Sequence, residues 1–266
     1  MTGVKRIMLI VSLIAVICRG GCELQGITAQ YVKEARVKES VAGYRPEEAE
    51  GERYRPEATL ALPDEEPGEG AEAEGAVELP VPELEAEINQ SIVDLQNEVN
   101  DEIVGWLYIP DTQIDYPFVW SGDHETYLKQ DLYGNQANAG TLFMDYRSAK
   151  DLSGFNTIIY GHHMKNGSMF GELKLFADEG FFESNPRGSI TLKDKACTLE
   201  IFAYMVVRAD DEMIYGSFPE RNGFYEYIKE NAGNYREPDR EKNVVTLSTC
   251  SYEFTDARMV LLANIV

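Results

Sequence analysis

Apolar and polar positions divide the chain into four stretches. An apolar run, Ile7–Cys18, follows Lys5 and Arg6. From Glu23 to Pro82 the chain is rich in Glu, Pro, Gly and Ala with few apolar anchors, as in "YRPEEAEGERYRPEATLALPDEEPGEGAEAEGAVELPVPE". Such a segment buries too little to offset its conformational entropy, so a disordered, extended spacer is expected over 23–82. At Glu83 the pattern changes. Leu84, Ile88, Ile92, Leu95 and Val99 recur at three- and four-residue spacings. That period predicts an amphipathic helix opening the folded part, 83–266.

Beyond the helix, short β-rich runs alternate with turn residues. They are "IVGWLYIP", "IDYPFVW", "GTLFMDYR", "FNTIIYGHH", "GSITLKD", "CTLEIFAYMVVRA", "NVVTLSTC" and "ARMVLLANIV". Gly, Asn, Asp and Pro separate them. Two stretches with helical spacing interrupt the series, "SMFGELKLFAD" and "NGFYEYIKENAG". About eight strands with few helices predict a mainly β fold, a barrel with helical insertions. The order is not a βαβ alternation, which argues against a doubly wound dinucleotide fold.

Charge and cysteine usage narrow the function. The net charge of −22 excludes a nucleic-acid binder, which needs clustered Lys and Arg. Much of that charge sits in residues 45–90, with fifteen Asp or Glu against three Arg. Residues 1–22 have the grammar of a signal or membrane-anchor segment, a positive start and then an apolar run. The expectation is a location at the cell membrane through a single N-terminal anchor, with the folded domain extracellular. A removed signal peptide and lipidation at Cys22 are the alternatives, though Arg19 departs from the aliphatic residue usual three places before a lipidated Cys. The four cysteines are Cys18, Cys22, Cys197 and Cys250. A Cys197–Cys250 disulfide is compatible with export. With three histidines and no Cys-x-x-Cys, neither a metal nor another cofactor is expected.

Three side chains stand where strands meet loops. His162 follows "NTIIYG", Cys250 closes "NVVTLSTC", and Arg258 opens "ARMVLLANIV". A thiolate is a nucleophile, an imidazole can take and return its proton, and a guanidinium can stabilise an oxyanion. Together they suit acyl transfer. Cys197 in "KDKACTLEIF" reads as a small core hydrophobe.

"TLSTC" with Arg258 downstream and "YGHH" upstream resembles the class B sortases of Gram-positive bacteria. The similarity extends to "VGWLYIPDTQIDYPFV", "YLKQDLYGNQANAGTLFMDYR" and "NTIIYGHHMKNGSMFGELKLF", roughly residues 88–266. The resemblance implies an eight-stranded sortase-type barrel with an N-terminal helix and a helix between the sixth and seventh strands. It implies a cysteine transpeptidase with Cys250 as nucleophile, His162 as acid–base and Arg258 as the essential arginine. His163 matches the second His of the doublet. Ser248, Tyr160, Leu128 and Ile214 fall where the family contacts its peptide. The implied substrate is a surface protein whose C-terminal sorting signal resembles Asn-Pro-Gln-Thr followed by Asn, Gly or Ser. The implied acceptor is a peptidoglycan amine or its lipid-linked precursor. A hydrolase or pilus polymerase on the same scaffold, or an exported binding module with a structural Cys250, are the competing readings.

Overall fold

The structure is a computed structural model; it describes residues 29–47, 88–216, 220–250 and 255–266, and of Cys250 the backbone alone. Nine strands form, β1 (Ile103–Tyr108), β2 (Asp115–Val119), β3 (Leu142–Met144), β4 (Asn156–Tyr160), β5 (Arg187–Leu192), β6 (Ala196–Arg208), β7 (Asn234–Tyr235), β8 (Val244–Cys250) and β9 (Ala257–Ile265). Eight of them close a barrel in the order β5-β1-β2-β3-β4-β8-β9-β6, sealed by the β5–β6 pairing, while the two-residue β7 hangs on β6. The eight-stranded barrel is the expected fold. Among the described residues only β2–β3 and β4–β8 pair in parallel. A parallel pair needs a long crossover rather than a hairpin. The β2–β3 crossover runs over residues 120–141 and carries His124 and Leu128, which line the cleft described below.

Burial explains why β8 and β9 read as near-continuous apolar runs. One of their faces looks into the barrel, where Val245, Leu247, Leu261 and Ala263 pack with Phe118, Ile190 and Leu199. The other carries Val244, Val260 and Leu262 under α5 (Arg221–Asn231), against Phe224, Tyr225 and Ile228. A strand covered on both faces loses its two-residue alternation. By contrast, β5 keeps that alternation along its length. Helix α5 precedes β8 and realises the "NGFYEYIKENAG" expectation.

Three local readings need correction. The amphipathic pattern from Leu84 gives a shorter helix, α2 (Gln90–Glu98), because the Asn89 side chain accepts from the Ile92 amide and caps it there. Ile92 and Leu95 are buried, Ile88 is exposed, and Leu84 lies outside the described residues. "SMFGELKLFAD" is not one helix. Met169 takes a positive φ of 53°, and only Leu173–Ala177 coils, as a 3-10 turn. Asp178 then caps the short α3 (Glu179–Ser184). Within the stretch expected to be spacer, residues 29–41 form helix α1, docked on the barrel through Val41 and several polar contacts. Its pattern was masked by charge, since Val37 and Val41 are its buried or half-buried apolar anchors.

The expected membrane location through a single N-terminal anchor is also corrected. Among the described residues no helix is long and apolar enough to cross a membrane. The N-terminal helix α1 has thirteen residues and holds Lys33, Glu34, Arg36, Lys38 and Glu39. At ~1.5 Å per residue it reaches about 20 Å, short of a ~30 Å hydrocarbon core. The Ile7–Cys18 run itself lies outside the described residues.

Candidate active site

The site is assembled by strand register. Parallel pairing sets Tyr160 at the end of β4 beside Ser248 on β8. The Gly161 amide extends the ladder by donating to the Ser248 carbonyl at 3.1 Å. His162 and Cys250 thus each lie two residues beyond one paired rung. Antiparallel pairing then sets Arg258 on β9 opposite Cys250. Three segments separated by up to 96 positions meet at one edge of the barrel. Gly161 makes the turn off β4 feasible. A Cβ there would lie 2.5 Å from Leu142 Cδ2 and 2.8 Å from Phe170 Cδ2.

The edge opens into a cleft of about 360 Å³, ample for several peptide side chains. Described residues lining it include His162, Arg258, Ser248, Tyr160, Leu128 and Tyr215. The half-buried His162 ring is fixed through Nε2, 2.7 Å from the Leu128 carbonyl oxygen. A carbonyl cannot donate, so Nε2 carries the proton. Nδ1 is then the nitrogen able to exchange one with a reacting group. Arg258 is half-buried, and among the described residues its guanidinium donates to the Ala257 carbonyl at 2.9 Å. That bond engages one of the five donors of the fork.

Peptide-contact expectations fare unevenly. Ser248 is buried, with its hydroxyl 2.8 Å from that of Tyr215. Tyr160 forms part of the wall and stacks on Tyr215 at 6.4 Å. Leu128 is exposed on the rim. Ile214, in α4 (Glu212–Tyr215), is fully buried in the cluster beneath α5, and its neighbour Tyr215 faces the cleft instead. His163 is not in the cleft lining; it forms a bridge with Met169 in the following loop. Cys197 is a buried free thiol in the barrel core, its pKa pushed up by burial.

Residues unforeseen from sequence complete one wall. Asp145, directly after β3, is 1% exposed. It accepts from Arg147 Nε and Nη2 at 2.8 and 2.7 Å and from the Tyr160 hydroxyl at 3.0 Å. His124 Nε2 sits 3.2 Å away, close enough for ion pairing yet misaligned for a hydrogen bond. Burial pushes the Asp145 carboxyl up, but the Arg147 and Tyr160 bonds outweigh it and hold it at about 2. Burial, followed by the Asp145 charge, drives the Tyr160 hydroxyl far above its ordinary range. The sequence signal was an aspartate closing the fully apolar β3 with an arginine two places on.

This network has a pH consequence. The folded carboxyl titrates below its ordinary 3.8. It therefore contributes stability above about pH 4 that is lost as pH falls through about 2. A shift of this size is worth about 2 kcal/mol. Asp145→Asn should be less stable by about that amount near neutrality, with the gap closing in acid. Denaturant midpoints of both proteins across the acid range check it; a gap independent of pH would refute the assignment.

Comparisons agree with this architecture. The Sortase domain family matches residues 107–266. Sortase B of Listeria monocytogenes is 35% identical over 191 residues, covering 69% of this chain and 77% of the relative. A sortase B structure from B. anthracis is 35% identical with TM-score 0.61, covering 68% of this chain and 87% of that one. A Staphylococcus aureus sortase B–substrate complex is 25% identical with TM-score 0.62, covering 67% and 86%. With the family matched over most of its length and its relatives drawn from one class, the chain belongs to the sortases and is a cysteine transpeptidase of class B.

Proposed function

We propose that Cys250, His162 and Arg258 carry out a two-step acyl transfer on a sorting peptide resembling Asn-Pro-Gln-Thr followed by Asn, Gly or Ser. The Cys250 thiolate adds to the Thr carbonyl carbon. Arg258 stabilises the oxyanion. The C–N bond breaks as His162 protonates the departing amine, leaving a thioester. An incoming amine then adds to the thioester carbonyl, His162 takes its proton, and the thiolate leaves. The substrates are surface proteins bearing sorting signals, as the family implies. The amine belongs to peptidoglycan or its lipid-linked precursor. The catalytic domain is assigned to 83–266, and helix α1 packs on it from within the stretch expected to be spacer.

The observation carrying this reading is the shared rung. His162 and Cys250 stand two residues past Tyr160 and Ser248, and Arg258 lies opposite Cys250. His162 and Arg258 line the same cleft. The S. aureus structural relative holds its substrate on the same fold. Ser248, Tyr160 and Leu128 contact the peptide from the walls.

The test is product analysis. Incubating the protein with an Asn-Pro-Gln-Thr-Asn peptide should give cleavage after Thr. Added triglycine or diaminopimelate should appear joined to the Thr carboxyl in the mass spectrum. A hydrolysed acid as sole product at every amine concentration would reject transfer.

A further inference from the structure

We infer that helix α1 is a strap that positions the His162 imidazole, with Lys33 and Lys38 as positioning residues. The inference rests on the acid–base reading of His162 given above. Two loops frame that ring. One, the β2–β3 crossover, supplies the Leu128 carbonyl that fixes Nε2. The other begins with His162 itself and returns at Phe170, whose amide donates to the His162 carbonyl at 3.0 Å. Helix α1 holds both.

On the first loop, Lys33 Nζ donates to the Gln136 carbonyl at 2.5 Å and lies 3.6 Å from Asp131 Oδ2. Gln30 accepts from Asn138 at 2.9 Å. The loop is braced so that these holds reach Leu128. Thr141 N donates to the Tyr127 carbonyl and Ala137 N to that of Lys129. Asp131 accepts from the Tyr133 and Asn135 amides. Gly140 sits against the backbone at its centre, with φ of +60° and room for no Cβ, which would lie 2.4 Å from the Tyr127 carbonyl oxygen and 2.9 Å from that of Leu128.

On the second loop the hold runs through Lys38. Its ammonium lies 4.1 Å over the Tyr116 ring and donates to the Gln113 carbonyl at 2.9 Å. The Tyr116 hydroxyl accepts from the Met169 amide at 3.3 Å. Gln113 Nε2 donates to the Asn166 carbonyl at 3.2 Å. Glu34 accepts from the Ser168 hydroxyl at 3.5 Å. A thirteen-residue helix is marginal by itself. These charged contacts therefore fix the helix and the two loops mutually. The consequence is chemical. If the loops separate, the Leu128 bond is lost, and the imidazole is free to place its proton on Nδ1, the nitrogen needed to accept one.

The test uses the full chain carrying Lys33→Ala, alone and with Lys38→Ala, followed by cleavage of the Asn-Pro-Gln-Thr-Asn peptide and by ¹⁵N NMR of the histidine rings. The double variant should lose kcat by about ten-fold with KM nearly unchanged. The His162 nitrogens should shift toward a mixed tautomer while those of His124 stay put. Lys33→Arg should restore most of the rate. Tyr44→Phe removes only the hydroxyl's bond from the tail after α1 to Glu98 on α2 and keeps the ring packed where it is, so it should leave kcat as it was. Unchanged His162 signals and kcat in the double variant overturn the strap, as does an equal loss in Tyr44→Phe. His162→Ala keeps the two ideas apart. Full turnover in that variant sinks the acid–base role, whereas an inactive His162→Ala beside an unaffected double variant sinks the strap alone.

Discussion

Alanine at position 250 should give a folded protein that forms no thioester and cleaves no sorting peptide. Removing the nucleophile of a catalytic set costs at least on the order of 10³-fold in turnover, since the remaining groups have no atom to activate. Cys250 ends β8, whose pairing with β4 and β9 is made by backbone groups. Those bonds survive the substitution, so loss of activity cannot be charged to loss of fold. The measurement is intact-protein mass after incubation with an Asn-Pro-Gln-Thr-Asn peptide. The unaltered protein should gain the acyl mass, hydroxylamine should remove it, and Cys250→Ala should never gain it. The competitor among the described residues is Cys197. It is buried in the barrel core, and burial pushes its pKa up, away from thiolate character. Cys197→Ala should accordingly acylate as the parent does. An adduct surviving Cys250→Ala and disappearing in Cys197→Ala would reverse the assignment.

What the sequence disclosed follows from how locally each feature is specified. Strands with a face in the barrel and a face under a helix, such as β8, announce themselves as apolar runs whatever their partners. Strand-end His162, Cys250 and Arg258 were visible for the same reason, because an apolar run stops or starts beside each of them. Contacts set by topology left weaker traces. Nothing in the order of residues says that β4 and β8 pair in parallel, yet that pairing alone equates Tyr160 with Ser248. Asp145 sat within the β-rich run "GTLFMDYR". Its role as a buried anchor emerges only when the crossovers bring Arg147, Tyr160 and His124 around it. Ile214 and Tyr215 exchanged roles because a four-residue helix offers too little periodicity to tell its core side from its cleft side. Helix α1 was concealed by its composition. Its docking depends on lysines reaching carbonyls and an aromatic ring, which a hydrophobic pattern does not register.

Lysine at position 258 should keep the positive charge and still lose most of the turnover. The distinction lies in geometry. A guanidinium is a planar fork with five donors, always charged, while an ammonium is a compact, strongly hydrated point at the end of a flexible stem. Arg258 bonds the carbonyl of its own neighbour, Ala257, at 2.9 Å. That bond holds the fork by one nitrogen, and in the proposed mechanism another of its donors meets the oxygen of the reacting carbonyl. A lysine can satisfy the Ala257 carbonyl or the oxyanion, but its single nitrogen cannot hold a fixed orientation toward both. Losing a preorganised oxyanion donor costs about 10²- to 10³-fold in kcat. The charge stays at the same rung opposite Cys250, so peptide KM and thermal stability should change little. Steady-state kinetics beside a melting curve separate these cases. A fall in kcat at constant Tm supports the oxyanion role. A rise in KM at constant kcat would mean that Arg258 only binds the peptide, and near-parental turnover would mean that charge without geometry is enough.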